Sequence, residues 1–371
     1  MGNVVVTGSQ GFIGRNLVAT LSLLPDLKVV TFDLEDAPES LQEGLAQADF
    51  VFHLAGINRP QDPSEFTQGN VGLTQRIVEL LTSMGRPVPL LISSSTQAAL
   101  DNPYGASKKH AEDLVRAYGQ ETGAPVFIFR LPNVFGKWSR PNYNSVVATY
   151  CHNTANGLPL EIHDPTREVS LVHVDDVIAE FLAAFHGTPH RGPDGDPAVP
   201  RVFTISLGDL ADRIGRFPQT RLTREVPDIG DDLTRLLYSM YLSYLPEDRF
   251  AYALDTKRDP RGWLAEILRS PSLGQIFVSV TRPGIVRGNH WHHTKTEKFL
   301  VISGEAVIRF RQLTGTDVIE YPVSGTEPRV VDIPPGYTHS ITNTGSTDLI
   351  TFFWASEPFD PARPDTYALP V

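Results

Sequence analysis

The chain has 371 residues, 41% of them hydrophobic and 20% charged, with a formal net charge of −11. That length exceeds one ordinary core and points to two domains. The negative balance disfavours a nucleic-acid partner, although local arginines can still bind an anionic small molecule. No apolar run is long enough to span a membrane, so no membrane partner is expected. The opening residues read as a strand with no basic leader, which argues against a signal peptide. The single cysteine, Cys151, cannot form an intrachain disulfide and fits a reducing, cytoplasmic compartment.

The first element is an apolar run, NVVV, followed by TGSQGFIG and then RNLVATLSLL at helical spacing. Gly8, Gly11 and Gly14 therefore sit on a strand, a turn and a helix start. Glycines there allow a tight turn and the close approach of a pyrophosphate to backbone N–H groups at a helix N-terminus. Gly8, Gly11, Phe12, Ile13 and Gly14 are the candidate dinucleotide cradle. Asp33 ends the next apolar run, 19 residues after Gly14. An acid there accepts from the ribose 2′-OH of NADH and repels a 2′-phosphate. Its plainer reading is a turn residue at a strand end. FVFHLAG is a further buried strand, and its end brings Leu54 and Ala55 to the cofactor. PLLISSS closes at Ser95. YGASK then puts Tyr104 and Lys108 one helical turn apart, on one face. A lysine charge lowers the phenol pKa, and a serine hydroxyl orients the reacting oxygen. Tyr-x-x-x-Lys alone is common on solvated helices; its meaning here comes from the cradle and the serine-tipped strand before it.

After YLSYLPEDRF the character changes to short apolar runs divided by Gly and Pro, which reads as all-β. A boundary near Pro246 gives an α/β domain over 1–245 and an all-β domain over 246–371. From Gly284 the spacing is G-x5-H-x-H-x4-E-x6-G. His290 and His292 alternate along a strand and share a face. Glu297 returns on the next strand, and PPGYTHSITN supplies His339. Histidines plus one carboxylate suit zinc or another first-row divalent ion. The alternative is a barrel whose histidines are satisfied by water or a ligand.

These residues resemble known families. TGSQGFIG, HLAG, SSS, YGASK, RLPNVFG and REVSLVHVDDV are similar to the extended short-chain dehydrogenase/reductases, Rossmann-type enzymes. The resemblance implies that Ser95, Tyr104 and Lys108 are the catalytic set. It also implies that Asn133, Arg167 and the KWSRPNYNS loop, with Lys137 and Asn144, face a nucleotide sugar. Arginine suits a diphosphate. Asn133 could otherwise be a turn residue, Arg167 a surface ion pair, and the loop ordinary solvated chain. Sugar 4,6-dehydratases of this superfamily carry an acidic pair after the active-site hydroxyl; here Thr96 and Gln97 follow Ser95. That favours a ketoreductase.

The histidine region resembles a cupin, a jelly-roll barrel, with Pro328 standing where the family has a glycine. DPRGWLAEIL is similar to the opening strand of deoxysugar 3,5-epimerases. Across nearly the whole chain, the order reductase then cupin resembles a family of bifunctional capsular polysaccharide synthesis enzymes. QGNVG, NPYGASK, FGKWSRPNYNSV, YLSYLPEDRF and FDPARPDTY carry that likeness. It implies a homodimer with NADPH and Zn2+, acting on a UDP-2-acetamido-2,6-dideoxy-4-keto-hexose. The cupin would epimerise C3. The reductase would then form UDP-N-acetyl-6-deoxy-L-talosamine, the precursor of UDP-N-acetyl-L-fucosamine. Asp33 departs from this pattern and points to NADH. With four groups taken by metal, Tyr337, Lys295 and His293 remain as ionisable candidates, and Tyr337 is the candidate catalytic group; its plainer reading is ordinary barrel packing. A purely structural cupin, the same chemistry on another nucleotide deoxysugar, or a dinucleotide-sensing regulator are the alternatives.

Overall fold

The computed structural model describes residues 2–60, 62 and 64–371. The chain divides into two compact units, Met1–Gly215 with Leu236–Leu245, and Arg216–Arg235 with Pro246–Val371. Arg216–Arg235 thus groups with the second unit, although it precedes Pro246. The reason is backbone pairing: Val226 N–H donates to Arg269 O at 2.9 Å, and Arg269 N–H donates to Arg224 O at 2.7 Å.

The first unit is built on strands β1 (Gly2–Thr7), β2 (Leu27–Phe32), β3 (Phe50–His53), β4 (Leu90–Ser95) and β5 (Val126–Leu131). They form one parallel sheet in the order β2-β1-β3-β4-β5. Continuous apolar runs suit it because both faces are covered. Val4 and Val6 pack on one side with Leu17, Phe129 and Phe181. Val5 packs on the other with Leu45, Ile77 and Val115. All five carboxyl ends lie on one edge, so Gly8, Asp33, Leu54 and Ser95 leave the sheet together. The strand order reverses about β1, which is where open α/β sheets bind ligands. A smaller sheet joins β6 (Asn133–Phe135), β7 (Glu168–His173) and β8 (Phe203–Ser206). Cys151 is fully buried in the helix Val146–Ala155, and burial pushes its thiol pKa far up. Among the described residues no helix is long and apolar enough to cross a membrane.

The second unit is antiparallel and all-β. Its strands are β9 (Thr256–Asp259), β10 (Gly262–Ser270), β11 (Gly274–Thr281), β12 (Val286–Trp291), β13 (Glu297–Ser303), β14 (Glu305–Gln312), β15 (Val318–Ser324), β16 (Val330–Ile333), β17 (Tyr337–Asn343), β18 (Leu349–Ala355) and β19 (Tyr367–Ala368). One sheet runs β16-β13-β18-β11-β10-β9 and the other β15-β14-β17-β12-β19. Alternation sets the inside: Glu297, Phe299 and Val301 are buried while Lys298 between them is exposed. Phe277, Phe353 and Phe299 stand opposite one another across three strands. Their rings contact at 4.7 and 4.5 Å. Phe353→Ala is expected to destabilise this unit by about 3–5 kcal/mol, seen as a lower denaturant midpoint at unchanged slope.

Candidate active site and metal centre

The cradle is closed to side chains. Gly8 has φ +71°, and a Cβ on it would lie 2.6 Å from Ala55 N; one on Gly14 would lie 2.1 Å from Gly8 O. The helix Phe12–Leu21 begins at Gly11 with no side-chain cap and no acid in its first turn. Its N-terminal amides are therefore available to an anion. Phe12, Ile13 and Leu54 are partly buried, with side chains packed against the core. Leu54 N–H donates to Thr7 O at 3.1 Å, which draws Leu54 and Ala55 alongside Gly8. The Asp33 carboxylate accepts from Gln10 N–H at 3.2 Å and from the Ser9 hydroxyl. It is turned toward the glycine loop.

Tyr104 and Lys108 lie on the helix Pro103–Thr122. Asn102 caps that helix by accepting from Gly105 N–H at 2.8 Å. The Tyr104 phenol donates to Asn58 Oδ1 at 3.1 Å. Burial raises its pKa, and a bond to the Ser95 hydroxyl works the other way. Lys108 is buried, with Nζ 3.1 Å from Ser93 O and 6.0 Å from the Tyr104 ring centre. Burial lowers its pKa to about 8, with Glu112 opposing the fall. Glu112 is fully buried and accepts from Ser94 Oγ at 2.6 Å and from Arg130 at 2.8 and 2.6 Å. Asn70 ties Ile57 N–H (2.8 Å), Ile57 O (3.1 Å) and Ser107 Oγ (3.0 Å) together. His53 lies between Thr7 Oγ1 (2.7 Å) and Thr74 Oγ1 (2.8 Å). Burial, then the Lys108 charge, lowers its pKa to about 3, so it stays neutral.

Sequence reading missed Asn58, Asn70, Glu112 and Arg130. Glu112 stands four residues after Lys108 on the same helix face, a signal that could have found it. Asn70 and Arg130 fall inside matched motifs, QGNVG and RLPNVFG. Asn58 has no such signal.

The substrate candidates are spread along the same unit. Asn133 is exposed and donates to Ser170 O at 3.1 Å. Lys137 pairs with Asp175 at 2.7 Å and lies 5.6 Å from the Trp138 ring centre. Asn144 is exposed on the loop before the helix Val146–Ala155. Arg167 is exposed and contributes to lowering the Asp164 pKa, behind hydrogen bonds from Thr166. The loop carries Trp138 at φ +69° and Asn142 at φ +55°, left-handed conformations rare outside glycine. Arg140 of the KWSRPNYNS loop and Arg59, which sequence reading passed over, approach the Tyr143 ring at 5.2 and 5.9 Å.

In the second unit His290, His292, Glu297 and His339 converge, with one ligand atom from each within 4.8 Å of the others. Glu297 Oε2 lies 3.4 Å from the Nε2 atoms of both His292 and His339. Donor atoms on a tetrahedral ion with bonds of about 2.1 Å lie roughly 3.4 Å apart, so the set has the right span. Both those Nε2 atoms are buried without a hydrogen-bond partner. Buried polar atoms are rarely left so. Burial, then His339, lowers the His290 pKa to about 4. Burial would raise that of Glu297, but His292 and His339 hold it at about 2. Tyr337 precedes His339 by two residues on β17 and packs at the edge of the same core. Lys295 Nζ is engaged by Pro364 O at 2.8 Å and Thr366 Oγ1 at 3.1 Å. His293 packs edge-on against Trp291 at 4.4 Å. A cavity of about 470 Å3 is lined by Leu264, Glu266, Arg269, Gln275, Phe277 and Phe359, among others. Gln275 stands opposite Ala355, which stands opposite Glu297. Directly opposed residues share a face, and two strand spacings amount to roughly 10 Å.

Residues 4–197 match the NAD dependent epimerase/dehydratase family, and residues 257–367 match a polysaccharide biosynthesis C-terminal domain. The chain belongs to the NAD dependent epimerase/dehydratase family. It is an enzyme of nicotinamide chemistry. A UDP-2-acetamido-2,6-beta-L-arabino-hexul-4-ose reductase of Pseudomonas aeruginosa is 45% identical, over 99% of this chain and 98% of that one. The crystal structure of the capsular polysaccharide assembling protein CapF from Staphylococcus aureus superposes with a TM-score of 0.93. It is 47% identical, with 100% of both chains covered. CapF with the inhibitor 3-isopropenyl-tropolone superposes with a TM-score of 0.88 at 42% identity, again with 100% of both chains covered. The Rossmann-type unit followed by an antiparallel all-β unit is therefore the CapF-like arrangement.

Lys108 should lose its proton near pH 8, measured by NMR titration of its side chain. Glu112→Gln should move that value downward, because the carboxylate favours the charged form. The ordinary value is 10.5, so between about pH 8 and 10.5 the folded state binds fewer protons than the unfolded chain. Over that window the contribution of Lys108 makes stability rise with pH.

Proposed function

We propose that the chain is a bifunctional nucleotide-sugar enzyme of capsule synthesis. Its second unit epimerises C3 of a UDP-2-acetamido-2,6-dideoxy-4-keto-hexose. Its first unit reduces the C4 ketone to UDP-N-acetyl-6-deoxy-L-talosamine, precursor of UDP-N-acetyl-L-fucosamine. The observation that carries the reductase reading is the Tyr104 phenol set between Ser95 and Asn58 above a buried Lys108. The names of the relatives from Pseudomonas aeruginosa and Staphylococcus aureus support the substrate class. The single buried thiol fits a cytoplasmic enzyme, and the resemblance to the fused enzymes supports a homodimer.

In this reading the glycine loop and the open helix N-terminus hold the cofactor pyrophosphate. Asp33, turned to the loop, accepts from a ribose hydroxyl and favours NADH over NADPH. A reduced nicotinamide bound there supplies the hydride. Tyr104 gives its proton to the C4 oxygen, Ser95 orients that oxygen, and the Lys108 charge makes the phenol a better donor. Asn133, Lys137, Asn144 and Arg167 hold the nucleotide sugar. Thr96 and Gln97 offer no acid–base pair for eliminating the 6-hydroxyl.

In the cupin, the C4 ketone acidifies the C3 hydrogen, so a base removes it and an acid returns it to the opposite face. His290, His292, Glu297 and His339 fit zinc, which supplies positive charge toward a carbonyl oxygen. Tyr337, on the inner face beside His339, is the candidate proton carrier; Lys295 is tied down by Pro364 and Thr366. The cavity on the same sheet face supports a ligand site there. A tropolone has adjacent oxygens suited to a metal, and its use as an inhibitor of CapF supports the same reading. A second reading keeps the cupin structural. It is favoured by the four protein ligands, which close a tetrahedral ion.

Incubation with the UDP-4-keto sugar in D2O without cofactor decides between them. Deuterium at C3 is expected from a working cupin and absent from a structural one. Tyr104→Phe should cut reduction by about 100-fold or more while leaving exchange intact; loss of both activities would overturn independent sites. Wild type should prefer NADH in kcat/KM. Asp33→Ser should narrow that preference by about tenfold, the effect of losing one charged hydrogen bond.

A further inference from the structure

The C-terminal segment Pro364–Val371 supplies none of the four clustered ligands, yet it is bound closely beside them. β19 pairs with β12, placing Ala368 opposite His290 and Tyr367 opposite Trp291. Trp291 and Tyr367 stack at 4.8 Å. Leu369 N–H donates to Asn289 O at 2.9 Å, the Thr338 hydroxyl donates to Leu369 O, and Arg311 donates to Pro370 O at 2.8 Å. At the head of this strap Asp365 holds φ +37°, a left-handed conformation in a residue that is not glycine. Such a conformation persists where its surroundings over-determine it.

Asp365 makes two kinds of contact. Its carboxylate accepts from the backbone N–H groups of His293 (2.9 Å), Thr294 (2.9 Å) and Lys295 (2.8 Å), and from the Thr294 hydroxyl (3.2 Å). Those three residues form the turn that carries the chain from His292 to Glu297. The carboxylate therefore fixes the spacing of two clustered groups. Its backbone carbonyl lies 2.5 Å from His292 Nδ1. A carbonyl can only accept, so Nδ1 carries a proton, and in the neutral ring Nε2 presents its lone pair. That Nε2 is the buried, unpartnered atom 3.4 Å from Glu297.

We propose that Asp365 is the positioning residue of the metal centre. From outside the ligand set, it sets the His292 tautomer with its carbonyl and the turn between His292 and Glu297 with its carboxylate. The proposal rests on reading the cluster as a metal centre. It belongs to the class of outer contacts whose loss weakens metal binding without removing a ligand.

The test uses full-length wild type, Asp365→Ala and Asp365→Asn. In Asp365→Ala the carbonyl remains, but nothing holds it in the left-handed conformation. Nitrogen-15 NMR of the His292 ring in metal-free protein should show the Nδ1–H form in wild type and a mixture in Asp365→Ala. Competition with a chromophoric chelator should show Zn2+ bound about 10–100-fold more weakly by Asp365→Ala. Asp365→Asn, which keeps one acceptor oxygen, should fall between and serves if the alanine variant fails to fold. The Co2+ absorption bands should broaden in the same order. An Nε2–H form in wild type, or unchanged tautomer and Zn2+ affinity in both variants, would overturn the proposal. If wild type binds neither ion, the metal reading falls, while the ring tautomers still decide whether Asp365 orients His292.

Discussion

Lys108 carries an ammonium group to a buried position beneath the carboxyl edge of a parallel sheet, and desolvation opposes it there. The surrounding structure reads as the answer to that opposition. Ser93 presents a carbonyl, Glu112 a fully buried carboxylate, and Arg130 a second cation paired with that carboxylate. Ser94, on the same strand, supplies another donor to Glu112. Removing Glu112 alone would leave Lys108 and Arg130 without their shared carboxylate, and breaking a buried charge set is more damaging than replacing it whole with apolar groups. Burial brings the lysine pKa down to about 8, and the Glu112 charge works against a further fall.

The second unit meets the same difficulty with a different set of groups. Its barrel interior is aromatic, with Phe277, Phe353 and Phe299 leading to the His339 ring. Into that apolar wall the strands place three imidazoles and a carboxylate. Glu297 faces two of those imidazoles, and among the described residues their Nε2 atoms have no hydrogen-bond partner. In the metal reading, an ion held by the four groups would satisfy those atoms. The C-terminal strap adds orientation, which the four groups cannot supply for themselves.

Local pattern carried the motifs well because their chemistry is local. Gly8 and Gly14 are glycines for a reason visible in the chain, a turn between strand and helix, and the structure adds only which atoms crowd them. The i, i+4 spacing of Tyr104 and Lys108, and the alternation of His290 and His292, follow from backbone periodicity. Groups that act across long separations were not legible. Asn58 reaches Tyr104 from another loop, Arg130 reaches Glu112 from a strand, and Asp365 reaches the His293 turn from the far end of the chain. Arg130 and Asp365 lie inside matched motifs, RLPNVFG and FDPARPDTY, but a motif does not say which distant group each residue reaches. The helices of Arg216–Arg235 were likewise unreadable as members of the second unit, since the pairing of Val226 with Arg269 depends on tertiary register.

The burial of Cys151 has a practical side. Its sulfur is enclosed by a helix and kept protonated, so the native chain offers alkylating and oxidising reagents no thiolate among its described residues. For a spectroscopist the one native thiol is out of reach in the folded chain. A thiol introduced on the Lys137–Ser145 loop, or on the strap, would be the sole point of attachment for a spin label or fluorophore, and would report motion at one site without prior mutation of the background.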